Sequence, residues 1–523
     1  MQRPLKFLAT AVLVLGCCSV HAHGGDGDPG DRAERANGPS FRGPGSHVDN
    51  VLTGPCLRAR IASKGRASCA AKLFPRIVAS VPRTRRLSLA LSPEISVTAE
   101  RTALQRNPAG FSWFGILQGQ SGEMVVTADG GVVFATVHTD GEVHRLRQIG
   151  PGQVVIEALP PPGFSPEDPP HALPPDGNIT LGTKPPPATW DPRGFDELVT
   201  GQAASVYEDG RIPEWKAQVY VPPPPHEEGF DLLLDDGSVI DVLPVVTQTA
   251  VEWIVAQTSS GTYSPHPESA ARAYVQHAID QLNVALNESG VHTWFNMLQP
   301  RIIAYQGVND PTAELKRLKS KTDGALDELH DWRNQAVADL VVLIGGPDDY
   351  AGVFGGADTK LFEVNDPGVF LAIFNVDFNP KVFAHEVGHL LALGHDWFVQ
   401  DGPEGVGFNP TDHAPDGHGH NAPVVIVNGQ YRQYRTLMAY AAQCEAIFEN
   451  SSVDHACVQL NRFSNPNLHF VLPAQNVAFP LGIPQPLDLA ADSVRAANSQ
   501  IRDVANYRLS ACRNFPAFPF CPN

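Results

Sequence analysis

Between residues 123 and 146 apolar positions come in short alternating runs, and pairs of turn-forming residues separate them. Residues 125–128 are followed by Asp129 and Gly130, residues 132–137 by Asp140 and Gly141, and residues 143–146 make a third run. A side-chain period of two, punctuated by Asp-Gly pairs, predicts a meander of β-hairpins. The same character extends over residues 87–159.

A different rhythm starts near Asp231. Residues 239–246 read as an apolar strand, and Ala271, Val275, Ala278, Ile279, Leu282 and Leu286 then recur at helical spacing along one stripe. Residues 301–305 predict a second strand and residues 312–332 a second helix. The unbroken apolar run 338–344 predicts a buried central strand. A short edge strand over 350–357 and a strand over 369–376 follow, and Asn379 with Pro380 signals the start of another helix. The chain is then loop-rich to Gly429 and ends in a helix over 488–508 with Leu489, Val494, Ala497, Ile501 and Val504 on one face. This order predicts an α+β domain with an α/β-like upper half: a mixed twisted sheet, two helices packed on it and a third crossing beneath.

Composition divides the rest. Residues 1–22 carry Arg3 and Lys6, an apolar run over 7–15 and small residues up to Ala22, the pattern of a signal peptide. Residues 23–86, rich in Gly, Pro, Arg and Ser, predict a low-complexity arm; 87–159 form the β-rich segment and 160–230 a proline-rich linker. Residues 231–512 are then the second domain and 513–523 a tail. The expected location is secreted, with periplasmic retention, or lipid anchoring at Cys17 after Val14, Leu15 and Gly16, as alternatives. No later segment has the ~18 apolar residues that a membrane span needs. A net charge of −18 excludes nucleic acid as a partner, because that surface requires a basic face. The expected state is a monomer. In an oxidising compartment Cys56, Cys69, Cys444, Cys457, Cys512 and Cys521 predict disulfides; six cysteines allow fifteen connectivities, of which 56–69, 444–457 and 512–521 are the economical set.

Residues 385–395 read HEVGHLLALGH. Histidines four apart on a helix point to the same side, so His385 and His389 make half of a metal site. His395 can close it as third ligand once the helix ends, leaving a fourth position for water, as in a catalytic rather than a structural zinc site. Glu386 is placed as general base for the zinc-activated water. Histidines that merely pack a core helix would each need a buried partner, which an otherwise apolar helix does not offer. The expected cofactor is therefore one catalytic Zn2+, and the expected substrates are proteins or peptides.

This pattern resembles the metzincin metalloproteases, whose zinc motif is followed by a tight turn with methionine beneath the metal; residues 435–440 (RTLMAY) match that turn with Met438. Asp396 after the third histidine, ADLVVLI over 338–344 and FSNP over 463–466 are similar to the reprolysin-like branch that includes bacterial peptidyl-Asp metalloendopeptidases. The resemblance covers roughly residues 235–510 and implies a metzincin catalytic domain preceded by a β-rich pro-segment, hence a zymogen. A substrate-binding module is the other reading of residues 87–159.

One position departs from the family pattern. Its glycine after the second histidine is Ala392 here, and an alanine in a left-handed conformation costs about 1 kcal/mol; Gly394 is the alternative place for the turn. If the helix ran on instead, a glutamate such as Glu445 would be third ligand. Tyr440 is either a residue that swings onto the metal or a core tyrosine. Arg432 and Arg435 are candidates for a cationic pocket favouring acidic side chains. His413, His418 and His420 form a second cluster, read as a solvated loop, as another metal site or as a stand-in for His395. The rival of a different class is a secreted zinc-binding or adhesion protein without catalysis.

Overall fold

The computed structural model describes residues 48–50, 52–61, 67–73, 81–92, 95–107, 109–139, 142–159, 235–308, 311–346, 355–357, 371–375, 381–401, 414–448, 453–472, 476–487 and 489–509. The expectations for the signal peptide, the linker, Asn379 and Pro380, His413 and the tail lie outside these residues.

Ten strands form the first sheet: β1 (Val48–Asn50), β2 (Leu52–Ile61), β3 (Ala67–Leu73), β4 (Arg86–Ala90), β5 (Ser96–Asn107), β6 (Gly110–Leu117), β7 (Glu123–Asp129), β8 (Val132–His138), β9 (Val143–Gly150) and β10 (Gln153–Leu159). Their order is β1-β4-β5-β6-β7-β8-β9-β10-β3-β2, so β4 to β10 are the expected meander. Asp129 pairs with Val132, which leaves Gly130 and Gly131 as the two loop residues, at φ 53° and 84°. Both glycines are needed because a two-residue loop with positive φ at both positions matches the strand twist; the sequence had pointed one residue earlier. The low-complexity reading of 23–86 is corrected in part. Gly54, Pro55 and Arg58 blur the alternation in β2, yet β2 and β3 extend this sheet beyond β10 and β1 pairs with β4. Met124, Val126, Ala128, Val133, Ala135 and Val137 line one face and share a core with Leu87 and Trp113.

The second sheet contains β11 (Val239–Thr247), β12 (Trp294–Met297), β13 (Arg301–Ile303), β14 (Leu340–Gly345), β15 (Gly355–Ala357) and β16 (Leu371–Asn375). Its order is β12-β11-β14-β16-β15 with β13 also on β11; all pairs are parallel except the edge strand β15. The result is the expected mixed α/β layer. Helix α1 (Gln248–Gln257) follows β11 directly, capped by the Thr247 hydroxyl, which accepts from the Ala250 amide at 3.2 Å. Helix α2 (Pro267–Ser289) has Pro267 in its first turn and ends on Gly290 at φ 94°. The single helix expected over 312–332 is two, α3 (Pro311–Lys319) and α4 (Glu328–Ala336).

The helix carrying the histidines is α5 (Lys381–Leu390), buried at every position. Beyond it lie α6 (Trp397–Asp401), β17 (Asn421–Val427), β18 (Gln430–Arg435), α7 (Ala442–Phe448), β19 (His455–Gln459), β20 (Asn465–Leu472), β21 (Val477–Leu481) and α8 (Ser493–Ala505). The stretch expected to be loop-rich contains the β17–β18 hairpin, turned by Asn428 and Gly429 at φ 53° and 83°. Cys444 and Cys457 form a disulfide with a Cα–Cα distance of 5.9 Å, one of the three expected pairs.

Candidate metal centre

Helix α5 brings His385 and His389 onto one face, and the chain returns His395 beside them. The three Nε2 atoms form a triangle with sides of 3.2, 3.2 and 3.1 Å, and all three residues are buried. His385 Nδ1 lies 2.8 Å from the Leu437 carbonyl and His389 Nδ1 lies 2.7 Å from the Leu393 carbonyl. A carbonyl only accepts, so each Nδ1 carries the proton and each Nε2 turns a lone pair inward. Burial pushes the His385 pKa down to about 4, keeping that imidazole neutral at physiological pH. Lone pairs facing each other at this distance repel unless a cation lies between them. A tetrahedral zinc with bonds of about 2.0–2.1 Å places ligand nitrogens about 3.3 Å apart, which the triangle fits. Carbonyl-bonded Nδ1 atoms are also the outer support that fixes metal-ligating histidines.

The return of His395 depends on how α5 stops. Ala392 takes φ 62°; its amide donates to the His389 carbonyl (3.0 Å) and the Leu393 amide to the Gly388 carbonyl (3.1 Å). These two bonds are a Schellman end with alanine in the place usually held by glycine. The turn is made at Ala392, not at Gly394 as the alternative had it; Gly394 instead bonds through its amide to the Gly417 carbonyl at 2.8 Å.

Beneath the triangle, Leu437 and Met438 are fully buried, and the Leu437 carbonyl also accepts from Gln459 Nε2 at 3.0 Å. Asp396 joins this turn to the histidine loop. One carboxylate oxygen accepts from the Tyr440 amide (2.8 Å) and the other from the amides of Phe398 (3.1 Å) and Val399 (3.3 Å) at the start of α6. Burial pushes its pKa up to about 6, against those hydrogen bonds. Phe463 of the FSNP stretch is buried near Gly388, and Ser464 Oγ donates to the His418 carbonyl at 2.6 Å.

Glu386 is buried on α5 next to His385. The Tyr440 ring lies 4.3 Å from that of His395 and 5.7 Å from that of His385, centroid to centroid. Glu445 is exposed on α7 and is not among the residues brought together. The solvated-loop reading of the second cluster is corrected: His418 and His420 are buried. The His418 ring lies against Trp397, tilted by 33° at 3.8 Å between centroids, and its Nδ1 lies 2.9 Å from the His395 carbonyl, so it props the loop that presents the third histidine. Among the described residues the only cluster of three metal-binding side chains is the His385 triangle. Arg435 is buried and donates to the Ala439 carbonyl; burial pushes its pKa down to about 10. Arg432 lines a separate cavity with Lys381, Glu123 and Arg462. Motif reading named Asp396 and His418 without their contacts here, and it did not single out the carbonyls of Leu393 and Leu437.

Residues 272–396 match the family model described as Metallo-peptidase family M12B Reprolysin-like. By that match, residues 272–396 are similar to reprolysin-like, metzincin-type metallopeptidases. The domain is similar to a peptidyl-Asp metalloendopeptidase of Stenotrophomonas maltophilia, 26% identical over 268 residues (49% of this chain, 55% of the relative). It is also similar to a protein of that description from Xanthomonas campestris pv. campestris, 24% identical over 241 residues (45% and 47%). The chain spans about half the length of the curated relatives it matches. A solved structure described as "Structure of a chaperone-substrate complex" aligns at TM-score 0.34 and 16% identity over 52% of this chain and 35% of its own, too low to say anything about the fold. The matching family implies a divalent metal, typically zinc, and the three-histidine donor set suits one.

Proposed function

We propose that the chain is an exported zinc-dependent endopeptidase. The observation that carries this reading is the Nε2 triangle of His385, His389 and His395, with two of its histidines oriented by backbone carbonyls. Zinc held there supplies Lewis acidity toward a scissile carbonyl and lowers the pKa of a water to about 7. Glu386, one residue from a ligand and buried in the same helix, takes the water proton as general base and hands it to the leaving amine. Burial around Glu386 keeps competing water away and strengthens its interaction with the proton it moves. The Leu437 and Leu393 carbonyls hold the ligand rings, and Asp396 fixes the Met438 turn to the loop that carries His395. The exposed position of Glu445 supports His395 over a glutamate as third ligand. Export rests on the signal-like residues 1–22; among the described residues no helix is long and apolar enough to cross a membrane.

Cleavage beside aspartate, which the relatives' descriptions carry, is supported by a pocket of about 140 Å³ next to Asp396. Trp397, Ile483 and Leu489 give it apolar walls, and His420, Asn421 and Gln443 give it a polar side. Its volume suits a short side chain. The Nε2 of His420 is buried with no hydrogen-bond partner among the described residues, and a substrate carboxylate would supply one. Arg435, engaged with the Ala439 carbonyl, does not line this pocket. Metal analysis alongside a peptide-library digest tests the reading: about one zinc per chain and cleavage abolished by a chelator are expected, and cleavage that persists after the metal is stripped overturns it.

A further inference from the structure

Helix α2 is buried on all sides. Every residue from Ala273 to Leu286 is buried, polar ones included, although a helix on the outside of a sheet ordinarily keeps one wet face. The cover is the ten-stranded sheet. All positions of β7 and of β8 are buried too, and their near-continuous apolar runs are those of strands covered on both faces.

The contact between them has the character of a protein interior. Val132 and Phe134 of β8 belong to the same core as α2 and α5, and Phe134 meets Tyr274 edge-on at 5.7 Å. Phe114 of β6 meets Trp294 of β12 in the same way at 5.7 Å. Within this apolar contact His277 has both ring nitrogens taken by strand hydroxyls, Nδ1 by Thr127 at 2.9 Å and Nε2 by Thr136 at 2.7 Å. Thr127 also donates to Asp280 at 2.5 Å, and Asp280 accepts from Gln276 at 2.9 Å. At one end Arg272 pairs with Asp129 at 2.5 Å, and the Gly130 turn lies so close to Ser269 that an added Cβ would come 2.5 Å from its hydroxyl. At the other, Arg462 bridges Glu123 of β7 (3.1 Å) and Glu288 of α2 (3.4 Å), and Glu123 also bonds His138 at 2.7 Å.

We infer that the β-rich segment, residues 48–159, is a permanent partner of the metallopeptidase domain, retained on the outer face of α2 after a cut in the chain between residues 160 and 234, rather than a pro-segment that leaves. Departure would bare the aromatic and aliphatic contact to water and break the bonds of His277 and Asp280 to Thr127 and Thr136. A segment built only to block a cleft and then go would instead use a contact about as apolar as the rest of the surface. The mature protein is then a two-fragment complex, with the sheet as a fixed wall of the molecule.

The test uses the full chain with a specific protease site inserted between residues 160 and 234, cut after folding. Size-exclusion chromatography of the cut protein at submicromolar concentration should give one species holding both fragments in equal amounts; two separate peaks overturn the inference. A second variant, Arg272→Glu, sets a carboxylate against Asp129 at the edge of the contact. It should weaken fragment association at least tenfold on dilution while the uncut variant stays folded by circular dichroism; unchanged association overturns the assignment to this face. Neither readout needs the metal or turnover, so the inference fails or stands separately from the peptidase reading.

Discussion

The sulfur of Met438 fills the space that a side chain on Gly388 would need: a Cβ built there lies 2.5 Å from the sulfur and 3.1 Å from the Phe463 ring. Gly388 lies between His385 and His389 on α5, so the contact sets how deeply the helix beds on the turn below the triangle. Gly388→Ala adds a methyl group to a filled space, and overpacking of this kind costs about 1–3 kcal/mol. Because the clash is against the helix that carries two ligands, zinc affinity should fall along with the melting temperature. Competition with a chromophoric chelator reads the first effect and a thermal melt the second; unchanged values would mean that Met438 yields without cost.

Ala392 holds a left-handed backbone at φ 62° that glycine reaches more easily. Ala392→Gly should therefore stabilise the chain by about 0.5–1 kcal/mol, less the entropy that glycine adds to the unfolded state. Ala392→Val should destabilise it by more, since a β-branched residue is poorly tolerated there. Chemical denaturation of the pair checks the order; a valine variant as stable as wild type would contradict the Schellman end.

His420 is the polar group proposed to read the substrate side chain. His420→Ala should reduce kcat/KM for peptides with aspartate at the selected position by about 10–100-fold, the range of one buried hydrogen bond to a charged group. Cleavage of peptides with a small apolar residue there should change little. Equal losses on both peptides would assign His420 a structural role instead.

Burial pushes the Asp280 pKa up to about 7, above the ~3.9 of an exposed aspartate. A pKa raised by folding means that the fold favours the neutral carboxyl. That contribution is fully present below about pH 4 and is lost as pH rises through 7. His277 beside it is pushed down to about 3 and works in the opposite sense, its neutral form favouring the fold above about pH 6.5. The difference between variant and wild type therefore isolates Asp280: Asp280→Asn should gain stability relative to wild type as pH rises from about 4 to 7 and level off above that. A difference flat with pH would show that Asp280 is ionised throughout.

Periodicity made the meander and the strands β11, β13, β14 and β16 legible, because each has an apolar face or run, whereas β15 (Gly355–Ala357) was signalled by its glycines. It did not show α1, whose residues follow β11 without a break, and it merged α3 with α4 because charged residues continue the pattern between them. Asn428 and Gly429 are a strong hairpin signal, obscured by the glycine- and proline-rich stretch before them. His385, Glu386, His389 and His395 were legible because their chemistry requires fixed spacing. The carbonyls of Leu393 and Leu437 were not, since every residue has a carbonyl and only the fold selects two. His418 was misread for a related reason: glycines around a histidine suggest exposure, whereas here they permit close approach, as Gly419 does to Met438, where a Cβ would meet the backbone at 2.4 Å.

The central claim is that Glu386 moves the proton at a zinc site made by His385, His389 and His395. Its most direct test is the zinc content and peptide-cleavage rate of Glu386→Gln beside wild type. The expected result is about one zinc per chain in both, with kcat lowered at least 10²–10⁴-fold, the range attributable to general-base catalysis. A glutamine variant that keeps its zinc and cleaves at the wild-type rate would contradict the claim.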